Sequence, residues 1–334
     1  MRRGNIPPLM IGSLGMILLI FDGKAAVSGV KDGLELCIQT LIPSLFPFFV
    51  LSSLVTGALS GVSVAPLRWL SRLCRMPDGA ESFLLVGILG GYPVGAGNIA
   101  AEYHNGRLLL TDARRLSIFC NNAGPSFLFG ILGPLVPNAG GTWALWVVQI
   151  SASVLTGILL PNGSTNTVSS QDSRCVSFSE ALNRGVKSMG LVCGWVIIFR
   201  LILTYLDRWI LGLLPGYYSV IVAGLLELSN GCLALSGIEN VLLRFVLAGI
   251  ILSLGGVCVW MQTQAVFPEI RLTDYIAGRF LHCLICVVLS IIIVPTFTGE
   301  RIGFSFPVFL FLPSVMIVSG LILRKRKKAV AFCN

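Results

Sequence analysis

The sequence predicts an all-α polytopic membrane protein: an inverted-repeat, transporter-like bundle of about eight spans plus two re-entrant helical hairpins. Three observations predict it. Of 334 residues, 55% are hydrophobic and 12% charged, and the mean hydropathy is +0.86; a soluble domain carries about 25% charged residues. Apolar runs such as 41–59, 142–160 and 190–206 approach or reach the ~20 residues that cross a bilayer, without the period-two alternation of a membrane barrel. Two further apolar stretches are interrupted by Gly, Pro and Asn, and paired interruptions in two halves of a chain are the sequence pointer to a transporter-like binding site.

The predicted spans are 6–22, 38–60, 116–136, 141–161, 190–213, 245–266, 277–297 and 305–323. The first follows Arg2-Arg3 and reads as an uncleaved helix rather than a signal peptide, because the rest of the chain is equally apolar. The interrupted stretches are 81–107 and 217–238. Charge decides how they run. If 81–107 enters and returns, the basic segments on its two sides (Arg68, Arg72, Arg75 and Arg107, Arg114, Arg115) share one face. With 217–238 re-entrant from the other face, Arg2, Arg3, Arg174, Arg184, Lys187, Arg271, Arg279 and the run 324–328 join them in the cytoplasm. Only Lys24, Lys31, Arg208, Arg244 and Arg301 lie outside, with Arg200 inside a span. That asymmetry is what the positive-inside rule expects, and both termini are then cytoplasmic.

This topology yields two halves of opposite orientation. Each has a polar-flanked helix (23–37; 173–188), a span (38–60; 190–213), a hairpin (81–107; 217–238) and a broken span (116–136; 245–266). The expected organisation is an N-terminal helix at 1–22, a first repeat with an additional span at 23–161, and a Ser/Thr/Asn-rich linker at 162–173. A second, inverted repeat follows at 174–266, then a C-terminal pair of spans at 267–323 and a basic tail at 324–334.

The interruptions carry the candidate chemistry. Gly91, Gly95 and their neighbours let the chain turn and let a ligand approach backbone, and Pro93, after Tyr92, removes a donor. The half-helix resuming near Ala96 would aim free N–H groups and a positive dipole end at an anion; close packing of small residues is the alternative. Asn121 and Asn122 either hold a solute or satisfy backbone freed by Gly124-Pro125. In the second half the corresponding residues are Glu227, Ser229, Asn230, Gly255, Gly256 and Gln262. Arg200 and Glu227 are ionisable groups at membrane depth, which are costly and functional by default. Either they pair with each other, or Arg200 forks onto an anionic solute while Glu227 takes a coupling cation or proton. His104 and His282 read as packing or interface residues.

Other classes find little support. The formal charge of +9 reflects cytoplasmic loops rather than nucleic-acid binding. The ten cysteines are scattered and lie mostly in apolar runs, where they act as small hydrophobes. Cys283 and Cys286 beside His282 lack further ligands for a metal. No phosphate loop, zincin motif or nucleophile elbow is present, so no enzyme activity, cofactor or metal is expected. The expected partners are a small-molecule solute and the bilayer, with anionic lipid at Arg324–Lys328; a homo-oligomer or a membrane partner is compatible with this.

The segments 84–96 (with Gly90-Gly91-Tyr92-Pro93-Val94-Gly95) and 109–130 (with Asn121-Asn122-Ala123-Gly124-Pro125) resemble the first half of a nucleoside-recognition, or Gate, domain. More specifically they resemble the YlbJ/SpoVV-type sporulation integral membrane proteins. The stretch from Gly33 to Phe49 is similar to that family's opening helix, and Leu226–Gly231 and Ser253–Gly256 with Gln262 to a looser second-half signature. The resemblance implies a Gate architecture, a link to spore formation, and movement of dipicolinate, a small aromatic dicarboxylate. A non-transporting structural or assembly factor of spore formation is the rival expectation.

Overall fold

The computed structural model describes residues 6–59, 67–77, 79–136, 138–161, 176–213 and 216–298. The expected linker 162–173, the span 305–323 and the basic tail lie outside the described residues. Every regular element described is helical.

The chain opens with α1 (Ile6–Phe21) and α2 (Gly23–Leu36). Asp22 separates them and caps α2, its carboxylate accepting the amide of Ala25 at 3.3 Å. A π turn, Cys37–Leu41, joins α2 to α3 (Ile42–Leu59) without a break. Pro43 and Pro47 lie just beyond it; a proline has no N–H for the ladder, and a locally widened turn absorbs the mismatch. The polar-flanked helix and the span expected separately therefore form one helical run, Gly23–Leu59. The second half does the same: α10 (Phe178–Trp209) absorbs both the helix 173–188 and most of the span 190–213. It starts on a capping-box sequence, Ser177-Phe178-Ser179-Glu180, with the Ser177 hydroxyl accepting the Glu180 amide at 3.2 Å.

After the short α4 (Arg68–Leu73), α5 (Glu81–Gly90) and α6 (Val94–His104) make the first hairpin. Gly87 and Gly95, equally spaced about Gly91, both abut the carbonyl of Cys120, so the chain folds back there. α7 (Leu110–Phe119) then stops, and a short α8 (Pro125–Phe127) resumes after the non-helical residues 120–124, continuing through a π turn and a 3-10 turn to Leu135. α9 (Asn138–Leu159) follows. In the second half, α11 (Gly216–Leu226) and α12 (Leu228–Ala234) make the second hairpin, with Gly231 against Gly224. α13 (Val241–Leu254) and α14 (Gly256–Val266) make the second broken helix, and α15 (Leu272–Thr298) closes the described chain. Long helix, hairpin and broken helix thus occur twice in the same order.

Among the described residues, five stretches are long and apolar enough to cross a membrane: Gly23–Leu59, Gly140–Leu159, Phe178–Trp209, Val241–Val266 and Leu272–Ile293. They overlap five of the eight expected spans. Residues 6–22 give a shorter apolar helix, and 116–136 gives no continuous one, because residues 120–124 leave helical geometry. Large apolar side chains such as Ile20, Phe21, Trp143, Ile198 and Ile292 face outward, as lipid-facing surfaces do.

The main core joins the halves. Phe49, Phe127, Leu132, Leu145, Val196, Phe199, Leu228 and Leu252 pack together, so each hairpin and each break is held against helices of the other half.

Candidate functional site

Both breaks arise where only glycine can serve. Gly91 has φ +72° and ψ −171°, a region closed to residues with a Cβ. A Cβ there would also sit 2.8 Å from the backbone nitrogen of Gly124, so the first hairpin tip meets the first broken helix backbone to backbone. Gly255 and Gly256 both have φ +72°. A Cβ on Gly256 would lie 2.9–3.2 Å from the carbonyls of Gly224, Leu225 and Leu226 at the end of α11.

Asn121 and Asn122 take the structural role that the sequence left open. The Asn121 side-chain oxygen accepts the amide of Ala96 at 3.2 Å, and its amide donates to Thr263 Oγ1 and Tyr275 Oη, both at 3.1 Å. The N-terminus of α6, expected to face an anion, is therefore occupied by a neutral amide from the other break. Asn122 donates to the Phe119 carbonyl at 2.7 Å and to Ser153 Oγ at 3.1 Å.

Glu227 does the equivalent work in the second half. Its carboxylate caps α12, accepting the amides of Ser229 at 3.0 Å and Asn230 at 2.7 Å, and the Asn230 side-chain amide at 2.7 Å. Arg200 does not touch it. Its guanidinium donates to Asn230 Oδ1 at 3.2 Å and to Asp32 Oδ2 at 3.0 Å. Asp32, Arg200, Asn230 and Glu227 form a chain in which one amide separates the guanidinium from the buried carboxylate.

A cavity of about 30 Å³ lies between the two breaks. Gly90–Tyr92 and Ala123, Gly124 and Ser126 line one side; Glu227–Ser229, Val259 and Gln262 line the other, with Phe49 and Val196 between them. Of the residues singled out from the sequence, Gly91, Tyr92, Gly124, Glu227, Ser229 and Gln262 face it. Pro93, Gly95, Asn121, Asn122, Arg200, Asn230, Gly255 and Gly256 buttress it without lining it. The volume holds a water or two at ~10–15 Å³ each. Glu227 is the one ionisable carboxylate or base in that lining; the Tyr92 phenol also faces it.

Sequence reasoning missed Arg279. Counted there among cytoplasmic charges, it lies eight residues into α15 and is fully buried. Its guanidinium donates to the carbonyls of Ile118 (3.3 Å) and Asn121 (3.2 Å) and to Asn122 Oδ1 (3.1 Å). It also donates to the Tyr92 hydroxyl and to the Leu252 carbonyl (3.5 Å). One side chain therefore binds the first hairpin, the first break and the helix leading into the second. The signal was its place one turn before His282 and Cys283, inside an otherwise apolar run. Arg115 is likewise spent on carbonyls, those of Cys74, Arg75, Gly157 and Pro161.

Beside Arg279, Gln149 reaches across to Gly249 O, Ser253 Oγ and Cys286 Sγ at 3.1–3.2 Å. His282 is buried, with Nε2 3.4 Å from the Gln149 carbonyl. Gln149 Oε1 and Arg279 Nε have no hydrogen-bond partner among the described residues. Among those residues no group of three metal-ligating side chains occurs.

The chain is similar to the sporulation integral membrane protein YlbJ of Bacillus subtilis (strain 168), with 31% identity over 137 residues. The match covers 39% of this chain and 33% of the relative, so it spans about a third of the relative's length. No protein-family model matches the chain, and no solved structure does. Similarity to an integral membrane protein, and five stretches of spanning length and composition among the described residues, make this a membrane protein.

Proposed function

We propose that this chain is a transporter, or the permease component of one, that moves a small solute by alternating access at the paired breaks, and that it performs no covalent chemistry. The observation that carries the reading is the small cavity between the breaks, faced by irregular backbone from both halves. At about 30 Å³ it is too small for an organic solute, so in this reading the two hairpins part to admit one.

In this reading the two repeats are inverted, as in Gate domains, the hairpins enter from opposite faces, and both termini are cytoplasmic. The solute belongs to the class of small aromatic carboxylates, with dipicolinate in spore formation as the first candidate through the likeness to YlbJ. A solute anion placed beside ionised Glu227 would meet strong repulsion in a site of low dielectric. Transport of an anion therefore requires that Glu227 be neutralised, and the solute travels with a proton or other cation.

The test is uptake into proteoliposomes. Saturable dipicolinate uptake that rises with an imposed proton gradient supports the proposal. Inertness across a panel of aromatic carboxylates under both signs of gradient rejects it. One observation favours the rival, a structural or assembly protein of spore formation: both half-helix N-termini are already capped from within, by Asn121 and Glu227.

A further inference from the structure

A second cavity, of about 230 Å³, lies where the start of α7, the end of α9 and the start of α15 meet. Its polar lining is Thr111, Arg114, Arg115, Arg271, Asp274 and the edge of Tyr275. Three guanidinium-bearing residues face one carboxylate, so the lining is net cationic. Arg115 is committed to carbonyls. Arg114 uses only Nε in its recorded bond, to the Glu269 carbonyl at 2.8 Å. Arg271 is exposed and sits at the N-terminal end of α15, where its carbonyl accepts the amides of Asp274 and Tyr275. The cavity is thus bounded by two guanidinium forks and the positive end of a 27-residue helix.

We propose that this cavity is an oxyanion-binding site, separate from the cavity between the breaks, for a carboxylate or phosphate group. Two forks and a helix N-terminus match the planar or tetrahedral oxygens of such a group. The volume exceeds the ~150 Å³ of a cavity that takes up benzene, so the site admits a monocyclic aromatic acid as well as inorganic phosphate. The floor gives it a route inward: Tyr275 is buried, and its hydroxyl accepts from the Asn121 amide, which caps α6 through its oxygen. Occupancy of the pocket therefore bears on the first break. The site stands whether or not the chain transports.

The oxyanion has two sources, a soluble acid or the phosphate of an anionic lipid. The experiment uses full-length protein in nanodiscs of phosphatidylcholine alone and of phosphatidylcholine with phosphatidylglycerol. Isophthalate and inorganic phosphate are titrated calorimetrically, and retained phosphatidylglycerol is counted by native mass spectrometry. Saturable binding of a soluble anion, weakened about tenfold in both Arg271→Ala and Arg114→Ala, supports the site with a soluble ligand. Phosphatidylglycerol retained by the wild type and lost in both variants supports it with a lipid ligand. Arg184→Ala, on the exposed Arg184–Glu180 pair of α10, controls for loss of surface charge. Equal binding in wild type and both pocket variants, or none in either lipid, overturns the proposal. Arg271 is exposed, so its variant keeps the test valid where Arg114→Ala fails to fold.

Discussion

The side-chain oxygen of Asn121 lies 3.2 Å from the backbone nitrogen of Ala96. A residue of the first broken helix therefore supplies the cap for the second arm of the first hairpin, and the two irregular segments stabilise each other. Asn121→Ala removes the cap and leaves Thr263 and Tyr275 short of a donor. The expected cost is about 2 kcal/mol, read as a lower melting temperature in detergent. Asn121→Asp keeps the cap but loses both donors and adds a charge, so it should be no better. An unchanged melting temperature in the alanine variant would show that the contact contributes nothing.

Arg279 is a stronger case. It donates to backbone or side-chain oxygens of Ile118, Asn121, Asn122, Tyr92 and Leu252. Arg279→Met strands several of these acceptors and should cost about 3 kcal/mol or more, lowering the monodisperse yield by gel filtration. Arg279→Lys keeps the charge but not the planar fork, and should recover only part of the loss.

Glycine positions separate shape from chemistry. Gly91→Ala requires a Cβ at φ +72°, 2.8 Å from the Gly124 nitrogen, and should cost at least about 2 kcal/mol. Gly97→Ala on the same hairpin meets only Val266 Cβ at 4.0 Å, and should be neutral or stabilising by up to about 1 kcal/mol. Thermal melts of the pair decide this; equal losses would contradict the close contact of the two breaks.

Glu227→Gln tests coupling. The glutamine keeps one acceptor oxygen for α12, so insertion should be near normal, while no proton can be carried. Uptake is expected to lose its response to a proton gradient. A variant that responds as the wild type does would remove Glu227 from the coupling step.

The arms of the first hairpin end on an exposed contact, His104 Nε2 to Glu269 Oε1 at 3.0 Å. The hydrogen bond from His104 holds the Glu269 carboxyl below its ordinary range. A depressed folded value means that the contact stabilises above the unfolded value, about 4.3, and that this is lost as pH falls through the folded value. The melting-temperature gap between wild type and Glu269→Gln should therefore be small at neutral pH and vanish in more acidic buffer. A gap that persists in buffer acidic enough to protonate carboxyl groups would contradict the argument.

The sequence made the helical class and the breaks readable because glycine and proline leave their mark locally. Gly91, Pro93, Gly124 and Gly255 sit where the backbone turns. Six of the proposed site residues face one cavity, because the interrupted segments of the two halves meet there. What could not be read was partnership. Whether Arg200 meets Glu227 or Asp32 depends on how α2 lies along α10, and nothing local in either helix records it. Arg279 was misplaced because charge counting treats an arginine near a helix end as solvated. A guanidinium can instead be satisfied by carbonyls that distant breaks have freed. The fusion of 23–37 with 38–60 was hidden by the polar residues of α2, which suggest an end where the π turn carries the helix through.

The helix from Gly23 to Leu59 has 37 residues and so runs for about 55 Å. Its neighbour α10, packed along α2 and α3, has 32 residues and runs for about 48 Å. The hydrocarbon layer is only about 30 Å deep. Lys24, Lys31, Asp32 and Glu35 at the start of one rod, and Glu180, Arg184 and Lys187 at the start of the other, leave each an apolar stretch shorter than the rod itself. Each rod is therefore longer than the layer it would cross, and its charged turns are the part fit to stand in water.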